Sequence, residues 1–328
     1  MMTRERLLTG LLACLLSAGI MQTENAYAVE GGKSLYLLGK RGPLAGLIPK
    51  PGLYLTDDIY YYSAKRDGLL PISGSVNNNI TADALMNLLQ VTWITEGVFN
   101  NGRLALGALV PYGNIEVSAD AALLTPNGIQ RGIKLSDEVT DFGDPVLAAS
   151  LGWKNREGEL FRAWNLYSSL FIPVGSYEVG RLANTGSNRW GLDIGTGFTM
   201  ANFNRGREFS GVLGFTFNDK NDDTGYKSGT ESHLELSYKQ HLKKGLSFGI
   251  VGYYNQQLTA DSGGPAVLGD FKGRVAALGP EIAYQFKTAT RSVGLDVRWY
   301  HEFAAQNRVE GDSVFLTLSL PLQADSKK

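Results

Sequence analysis

WGLDIGTGFTM, residues 190–200, alternates large apolar side chains with small or polar ones at a period of two. That period is typical of a β-strand, whose successive side chains point to opposite faces of a sheet. The apolar face carries Trp190, Leu192, Ile194, Phe198 and Met200. The opposite face carries Gly191, Asp193, Gly195, Gly197 and Thr199. Soluble sheets alternate in the same way, so the fold class depends on how this strand is repeated and connected.

Strand-like stretches of similar length recur from residue 50 to the end of the chain. We predict strands at 53–63, 88–98, 103–113, 143–154, 160–172, 189–202, 209–218, 230–241, 245–257, 272–287, 291–303 and 313–322. Long connectors, at 64–87, 114–142, 173–188, 219–229, 258–271 and 304–312, alternate with short ones. Long extracellular loops and short periplasmic turns are typical of transmembrane β-barrels. The sequence therefore predicts an all-β, antiparallel transmembrane β-barrel of about twelve strands.

The start of the chain predicts export. Arg4 and Arg6 precede an apolar run over 7–20, and a small-x-small motif follows at 26–28. This order is typical of a signal peptide, so we predict that 1–28 directs Sec export to a Gram-negative envelope and is cleaved near Ala28. A second interpretation stays open, in which Cys14 marks a lipoprotein.

The remainder divides into three segments. Residues 29–52 are rich in glycine and proline and form an N-terminal periplasmic or plug segment, 53–322 form the barrel, and 323–328 are a polar tail. The last strand ends Leu320-Pro321-Leu322, where barrels of this class usually end on an aromatic residue.

Composition excludes several classes of protein. The 40 glycines, 15 tyrosines, 14 phenylalanines and 5 tryptophans suit a barrel wall with aromatic girdles. No later apolar run approaches the roughly eighteen residues of a membrane-spanning helix. A net charge of −1 argues against nucleic acid as a partner. The single cysteine lies in the predicted signal peptide, which excludes disulfides and thiolate chemistry from the mature chain.

Strand parity predicts which side chains face the lumen. The charged residues of the later strands lie opposite the apolar rows, and the lumen candidates are Asp193, His233, Glu235, Lys239, Glu281, Asp296, Arg298 and Tyr300. Inward charges of a barrel commonly pair with one another, because an isolated buried charge is costly. We therefore expect most of these residues to maintain the shape of the barrel rather than to contact solute.

Two local features break the simple pattern. Adjacent Asp57 and Asp58 cannot both face the lumen of a regular strand, so we expect a bulge or an interfacial position there. The aromatic groups at 60–62, 253–254 and 299–300 are assigned mostly to interfacial girdles.

A barrel of twelve strands is intermediate between filled eight-stranded barrels and open pores of sixteen or more. A plug or constriction is therefore expected, and the candidates for it are Leu44, Leu47, Ile48, Pro49 and Pro51. An alternative is that this segment packs across the periplasmic mouth.

Enzymatic interpretations have little support. His233, His241 and His301 show no metal-ligand spacing, and no glycine-rich loop opens a helix, so we predict neither a metal nor a cofactor. His233 and Ser237 share a strand face and are the nearest approach to a hydrolase pair.

The chain resembles the family of outer-membrane proteins associated with the meta-cleavage pathway of phenol degradation. The motifs that carry the resemblance are GLIPKPG (46–52), FGD (142–144), PVGSY (173–177), RLANTGSNRW (181–190), YKSG (226–229), GYYNQQ (252–257), GDFKGRV (269–275) and LGP (278–280). The resemblance implies a barrel for hydrophobic or aromatic compounds. Outer-membrane lipid, lipopolysaccharide and the barrel-assembly machinery are the expected partners. The sequence leaves three functions to distinguish: a channel for passive uptake, a structural or surface barrel, and a barrel-embedded lipid hydrolase.

Overall fold

The computed structural model describes residues 33–67, 70–72, 75–124, 130–263, 272–288 and 290–323. The predicted signal peptide with Cys14, and all of the predicted tail after residue 323, lie outside these residues. Within them the strands are β1 (Gly52–Arg66), β2 (Leu70–Ile72), β3 (Ser75–Gly97), β4 (Arg103–Leu124), β5 (Gln130–Phe142), β6 (Val146–Glu157), β7 (Leu160–Phe171), β8 (Gly191–Asn202), β9 (Arg207–Asn218), β10 (Glu231–His241), β11 (Leu246–Gln257), β12 (Arg274–Lys287), β13 (Ser292–Gln306) and β14 (Glu310–Pro321). No helix in this described part of the chain is long and apolar enough to span a membrane.

Twelve of the described strands close into a ring. The order is β1-β3-β4-β6-β7-β8-β9-β10-β11-β12-β13-β14, and every neighbouring pair is antiparallel. β14 returns to β1 in unbroken register from Tyr54↔Pro321 to Lys65↔Glu310. Closure removes the free edges that an open sheet of these twelve strands would have, and β2 and β5 end the described strand order outside the ring. The predicted twelve-stranded transmembrane β-barrel is confirmed.

Two of the predicted long connectors contain further strands. β2 and the first half of β3 occupy much of 64–87, and β5 with the end of β4 occupies 114–142. β4 pairs with β6 over 103–109 and with β5 over 112–124. Pro111, which lacks an N–H donor, lies where β4 changes neighbours, and its carbonyl accepts from the Gly143 N–H at 3.0 Å. The predicted strand 103–113 therefore continues past Pro111, where β5 replaces β6 as the neighbour of β4.

The alternation of connector lengths defines two ends of the barrel. The short turns after β3, β6, β8, β10 and β12 lie at one end of the barrel, called the short-turn end. The longer connectors after β7, β9 and β11 lie at the opposite end, called the long-loop end. The predicted long connector 304–312 is wrong, since β13 and β14 extend until only 307–309 lie between them.

The outer surface of the ring is apolar. Outward side chains such as Leu85, Leu147 and Ile282 are half exposed, as expected of a surface that faces lipid. β1 runs in regular register against β3 through both aspartates, so the predicted bulge at Asp57 and Asp58 is absent. Asp58 is buried inside the ring, whereas Asp57 faces outward and accepts a 2.6 Å hydrogen bond from Asn87.

Candidate functional site

Residues 33–51, which we call the N-terminal segment, lie inside the ring. The Gly46 N–H donates to Thr199 on β8 at 3.0 Å, and the Leu44 N–H donates to Glu208 on β9 at 2.7 Å. Lys40 forms an ion pair with Asp58 on β1. β1 and β9 face each other across the twelve-stranded ring, so the segment spans the lumen between them.

The segment approaches the backbone of β7 and β8 closely because the contact is formed by glycines, Gly46 in the segment and Gly197 on β8. A Cβ atom on Gly46 would lie 2.6 Å from the Phe198 backbone, and one on Gly197 would lie 2.4 Å from the Ala45 carbonyl oxygen. Asn165 completes this contact by donating to the Ala45 carbonyl at 2.7 Å. Larger side chains at either glycine would separate the segment from β7 and β8.

One side of the interior, which we call the polar wall, consists of the inward side chains of β8, β9, β10, β12 and β13. All eight lumen candidates from the sequence lie there, namely Asp193, His233, Glu235, Lys239, Glu281, Asp296, Arg298 and Tyr300. Seven of them are buried, and the Asp296 side chain is 19% exposed. Residues of this wall, such as Glu235 and Arg298, form hydrogen bonds with the N-terminal segment.

Four charged residues of the polar wall, Lys239, Glu281, Asp296 and Arg298, form one network. Lys239 forms an ion pair with Glu281, and its Nζ lies 3.7 Å from Asp296. Arg298 Nε lies 2.7 Å from Asp296, and Arg298 Nη1 donates to the Gly39 carbonyl at 2.7 Å. Opposite charges in direct contact avoid the cost of an isolated buried ion. The network therefore fixes the segment against the wall.

His233 belongs to the same arrangement. Its Nε2 lies 2.9 Å from Asp193 and 3.4 Å from the Tyr167 hydroxyl, and its ring stacks on Tyr36 with centroids 3.6 Å apart. Among the described residues no hydrogen bond joins His233 to Ser237, whose hydroxyl is buried without a partner. The pair that a serine hydrolase would require is not assembled.

The facing side of the interior, which we call the apolar wall, is formed by β3, β4 and β6. Its inward positions alternate along β3 from Ile80 to Ile94, along β4 from Ala105 to Val117, and along β6 from Val146 to Gly152. The charged residues of these strands that line the cavity are Asp83 and Lys154. Met86 and Leu88 lie near its centre and are 8% and 5% exposed. Gln90, Thr92 and Ser150 are its polar side chains.

A cavity of about 1700 Å³ lies between the N-terminal segment and the apolar wall. Its lining reaches from Leu182 and Thr185 at the long-loop end to Pro321 and Gln323 at the short-turn end. Ligand pockets commonly enclose roughly 300–1,000 Å³. This cavity is therefore larger than a single small solute needs, and it is elongated along the barrel.

The plug candidates from the sequence line this cavity from the segment side. Leu44 adopts a positive φ of 53°, and its carbonyl accepts from the Leu47 N–H at 2.8 Å, which forms a tight turn. Ile48 is buried beside Gly152, and the Pro49 carbonyl accepts from Arg103 at 2.9 Å. Leu47 and Pro51 complete the lining.

Sequence reasoning missed the apolar wall. β3 carries large apolar side chains on both faces over 85–94, because Leu85, Leu89 and Trp93 face outward while Met86 and Leu88 face inward. It therefore lacks the alternation that marks the later strands. A run too apolar for a half-polar barrel strand is the signal that could have identified it.

The assignment of most paired aromatics to girdles is wrong. Tyr61, Tyr254 and Trp299 face outward, at 43–46% exposed. The inward members are Tyr60, Tyr62, Tyr253 and Tyr300. Alternation in a strand requires such a division of neighbouring side chains.

Within the described residues no group of three or more histidine, cysteine, aspartate or glutamate side chains is arranged to hold a metal ion. In the loop after β9, Asp223 accepts from Asn188 at 2.8 Å, and Asp222 lies 3.7 Å from Lys220.

Comparison with known proteins places these features in context. The family model described as "Putative MetA-pathway of phenol degradation" matches residues 69–318. An outer membrane channel from Pseudomonas putida F1 is 16% identical, over 86% of this chain and 99% of its own, with a TM-score of 0.64. A Pseudomonas aeruginosa FadL homologue is 11% identical over 92% and 98% of the two chains (TM-score 0.40), and the CymD monoaromatic hydrocarbon channel is 10% identical over 85% and 90% (TM-score 0.39). The first likeness supports the barrel fold, and no curated protein matches the chain.

Proposed function

This chain belongs to the family described as "Putative MetA-pathway of phenol degradation", and we propose that it is an outer-membrane channel for hydrophobic or aromatic small molecules. Uptake is passive and supplies catabolism inside the cell. The observation that carries this proposal is the cavity of about 1700 Å³ beside the apolar wall. No catalytic role is needed to account for it.

The apolar wall gives hydrophobic solutes a favourable surface. Transfer of apolar area from water is worth about 25 cal/mol per Å², so a benzene-sized ring gains by contact with Met86, Leu88 and Leu109. A sugar would lose water hydrogen bonds against the same wall without replacing them, which is costly. The wall therefore favours one class of solute over the other.

The N-terminal segment supplies the constriction in this proposal. It fills the half of the lumen next to the polar wall, and the remaining passage runs beside Leu47 and Ile48. A solute then meets apolar side chains on both sides. Residues 1–28 direct the chain to the outer membrane, where its outward belt contacts lipid and lipopolysaccharide after insertion by the barrel-assembly machinery.

The test places a tryptophan at two neighbouring positions of β6, one that faces the cavity and one that faces outward. Ala148 lines the cavity, whereas Leu147 faces outward and is 50% exposed. Ala148→Trp is expected to lower uptake of propylbenzene from a low external concentration severalfold in cells with intact lipopolysaccharide. Leu147→Trp is the matched control and should leave uptake unchanged.

Heat-modifiable migration on gels establishes that both variants form folded barrels. Equal uptake by the wild type, the two variants and a deletion strain would contradict the channel. Sensitivity of the deletion strain to detergents, without an uptake defect, would instead support a structural barrel.

A further inference from the structure

The long-loop end of the cavity differs from the rest of the passage because it contains a buried cation among aromatic rings. Arg308 lies between β13 and β14, lines the cavity, and its side chain is only 10% exposed. Tyr60, Tyr62 and Tyr253 line the same end of the cavity. Such a site offers flat apolar surfaces beside hydrogen-bond donors.

The donors of Arg308 are incompletely used. A guanidinium group carries five N–H donors. Among the described residues, Arg308 Nε has no partner, Nη1 reaches Asn255 at a long 3.4 Å, and Nη2 lies 3.7 Å from Glu302. A buried donor without a partner is costly, so a ligand oxygen placed here would satisfy it.

Glu302 is, by contrast, fully engaged. Its two oxygens accept from the hydroxyls of Tyr253 and Tyr62, both at 2.8 Å, and from the Gly311 N–H at 3.0 Å. These bonds orient the two tyrosine rings toward the cavity without Arg308. Replacement of Arg308 should therefore leave the aromatic part of the site in place.

The site has spare donors but no spare positive charge. Glu302 lies beside Arg308, and Asn255 connects Arg308 to a second buried carboxylate, Glu231, at 3.4 Å. Arg66 supplies another cation and donates to the Arg308 carbonyl at 3.2 Å. These two acids match the charge of these two bases, and Asp83 also lines the cavity. A neutral oxygen fits this balance, whereas a carboxylate would add an unpaired charge.

We propose that Arg308, with Tyr60, Tyr62 and Tyr253, forms a subsite that binds neutral aromatic compounds through an oxygen on the ring, as in a phenol. This inference rests on the proposed channel function and names its preferred solute. The rings contact the aromatic face, and the guanidinium donates to the oxygen.

Three probes that differ only at one ring position test the subsite: propylbenzene, 4-propylphenol and 4-propylbenzoate. Their uptake is compared in a strain without general porins, at low external concentration, for the wild type, Arg308→Met and the deletion strain. Arg308→Met should lower 4-propylphenol uptake about tenfold, the effect expected for loss of a hydrogen bond to a charged donor. Propylbenzene uptake should stay within about twofold, because the apolar wall is unchanged.

Unchanged 4-propylphenol uptake in Arg308→Met, or an equal fall for propylbenzene, would overturn the subsite while leaving the channel intact. Wild-type uptake of 4-propylbenzoate as fast as that of 4-propylphenol would overturn the preference for neutral solutes. Propylbenzene uptake no faster in the wild type than in the deletion strain would contradict the proposed channel itself. Arg308→Lys provides a second variant, which retains the charge but lacks the Nε donor and should also lower 4-propylphenol uptake.

Discussion

The two walls of the barrel interior differ in how much of the cavity lies beside them. The eight predicted lumen residues of the polar wall form ion pairs with one another or contact the N-terminal segment, and none of them lines the described cavity. The apolar wall packs only partly against the segment, with Met86 and Leu88 in the same hydrophobic cluster as Leu38, and a cavity of about 1700 Å³ lies along it. In the proposed channel, the polar wall holds the constriction in place and the solute passes along the apolar wall.

This division has a physical cause. Hydrogen bonds and ion pairs are directional and hold backbone close to backbone, as between Gly46 and β8. Apolar contacts are not directional, so a passing hydrophobic solute can substitute for a neighbouring side chain. Stability should therefore depend on the polar wall, and transport on the apolar wall.

Deletion of 29–51 should have the largest effect. It removes the Lys40 ammonium from Asp58 and the backbone donors of Gly39 and Leu44 from Glu235 and Glu208. The lumen then widens and its carboxylates lose their partners, so we expect a severalfold rise in single-channel conductance with cation selectivity. Planar bilayer recordings of the purified, folded barrel measure both quantities. Unchanged conductance, or anion selectivity, would contradict the assignment of the segment as the constriction.

Arg298→Met tests the stabilising role of the polar wall. It leaves Asp296 and Asp58 without their guanidinium and removes the bond to the Gly39 carbonyl. Removal of one partner of a buried charge network costs about 3–5 kcal/mol, which a guanidinium chloride unfolding curve in detergent can measure. Met86→Leu on the apolar wall is the matched control and should cost less than about 1.5 kcal/mol. Equal losses for the two variants would contradict the division between the walls.

Sequence reasoning predicted the barrel because its evidence is local. Alternation and turn residues are properties of neighbouring positions, so the twelve ring strands were predicted within a few residues except where β3, β4, β13 and β14 extend past their predicted ends. Strand parity likewise placed Asp193 and Glu281 on the inward face. The contacts of Gly39 with Arg298 join residues 259 apart in the chain, and no local pattern encodes them.

The apolar wall was missed for a different reason. A strand in lipid that also borders an apolar lumen is apolar on both faces, so β3 loses the signal by which lumen residues are recognised. Arg308 was missed because it lies in a predicted loop that the structure reduces to 307–309. Residues at such positions are identified only when the neighbouring strands are known.

The smallest expected effect concerns Asp261, a buried carboxyl in the connector after β11. Burial raises its pKa from 3.8 to about 6, although hydrogen bonds from Tyr226, Gly229 and Gln257 favour the ionised form. Between about pH 4 and 6, the Asp261 carboxyl is therefore protonated in the folded loop but ionised in the unfolded loop. The stability of the folded loop falls as pH rises through that window, by at most about 3 kcal/mol.

Hydrogen exchange at the Gly229 amide measures this loop opening. Exchange, corrected for the intrinsic rate, should be faster at pH 7 than at pH 5. Asp261→Asn stays neutral at both values and should remove the difference. A pH dependence that persists in Asp261→Asn would assign the effect to another group.

The most direct test of passage along the apolar wall uses the fact that the chain has one cysteine, in the predicted signal peptide. Ala105 lines the cavity on β4, and Ala108 faces outward three residues later. Uptake of propylbenzene is measured in Ala105→Cys and Ala108→Cys cells before benzyl methanethiosulfonate treatment, after it, and after reduction. The account predicts a reversible block in Ala105→Cys alone. Full uptake through modified Ala105→Cys, with labelling verified by mass spectrometry, would contradict it.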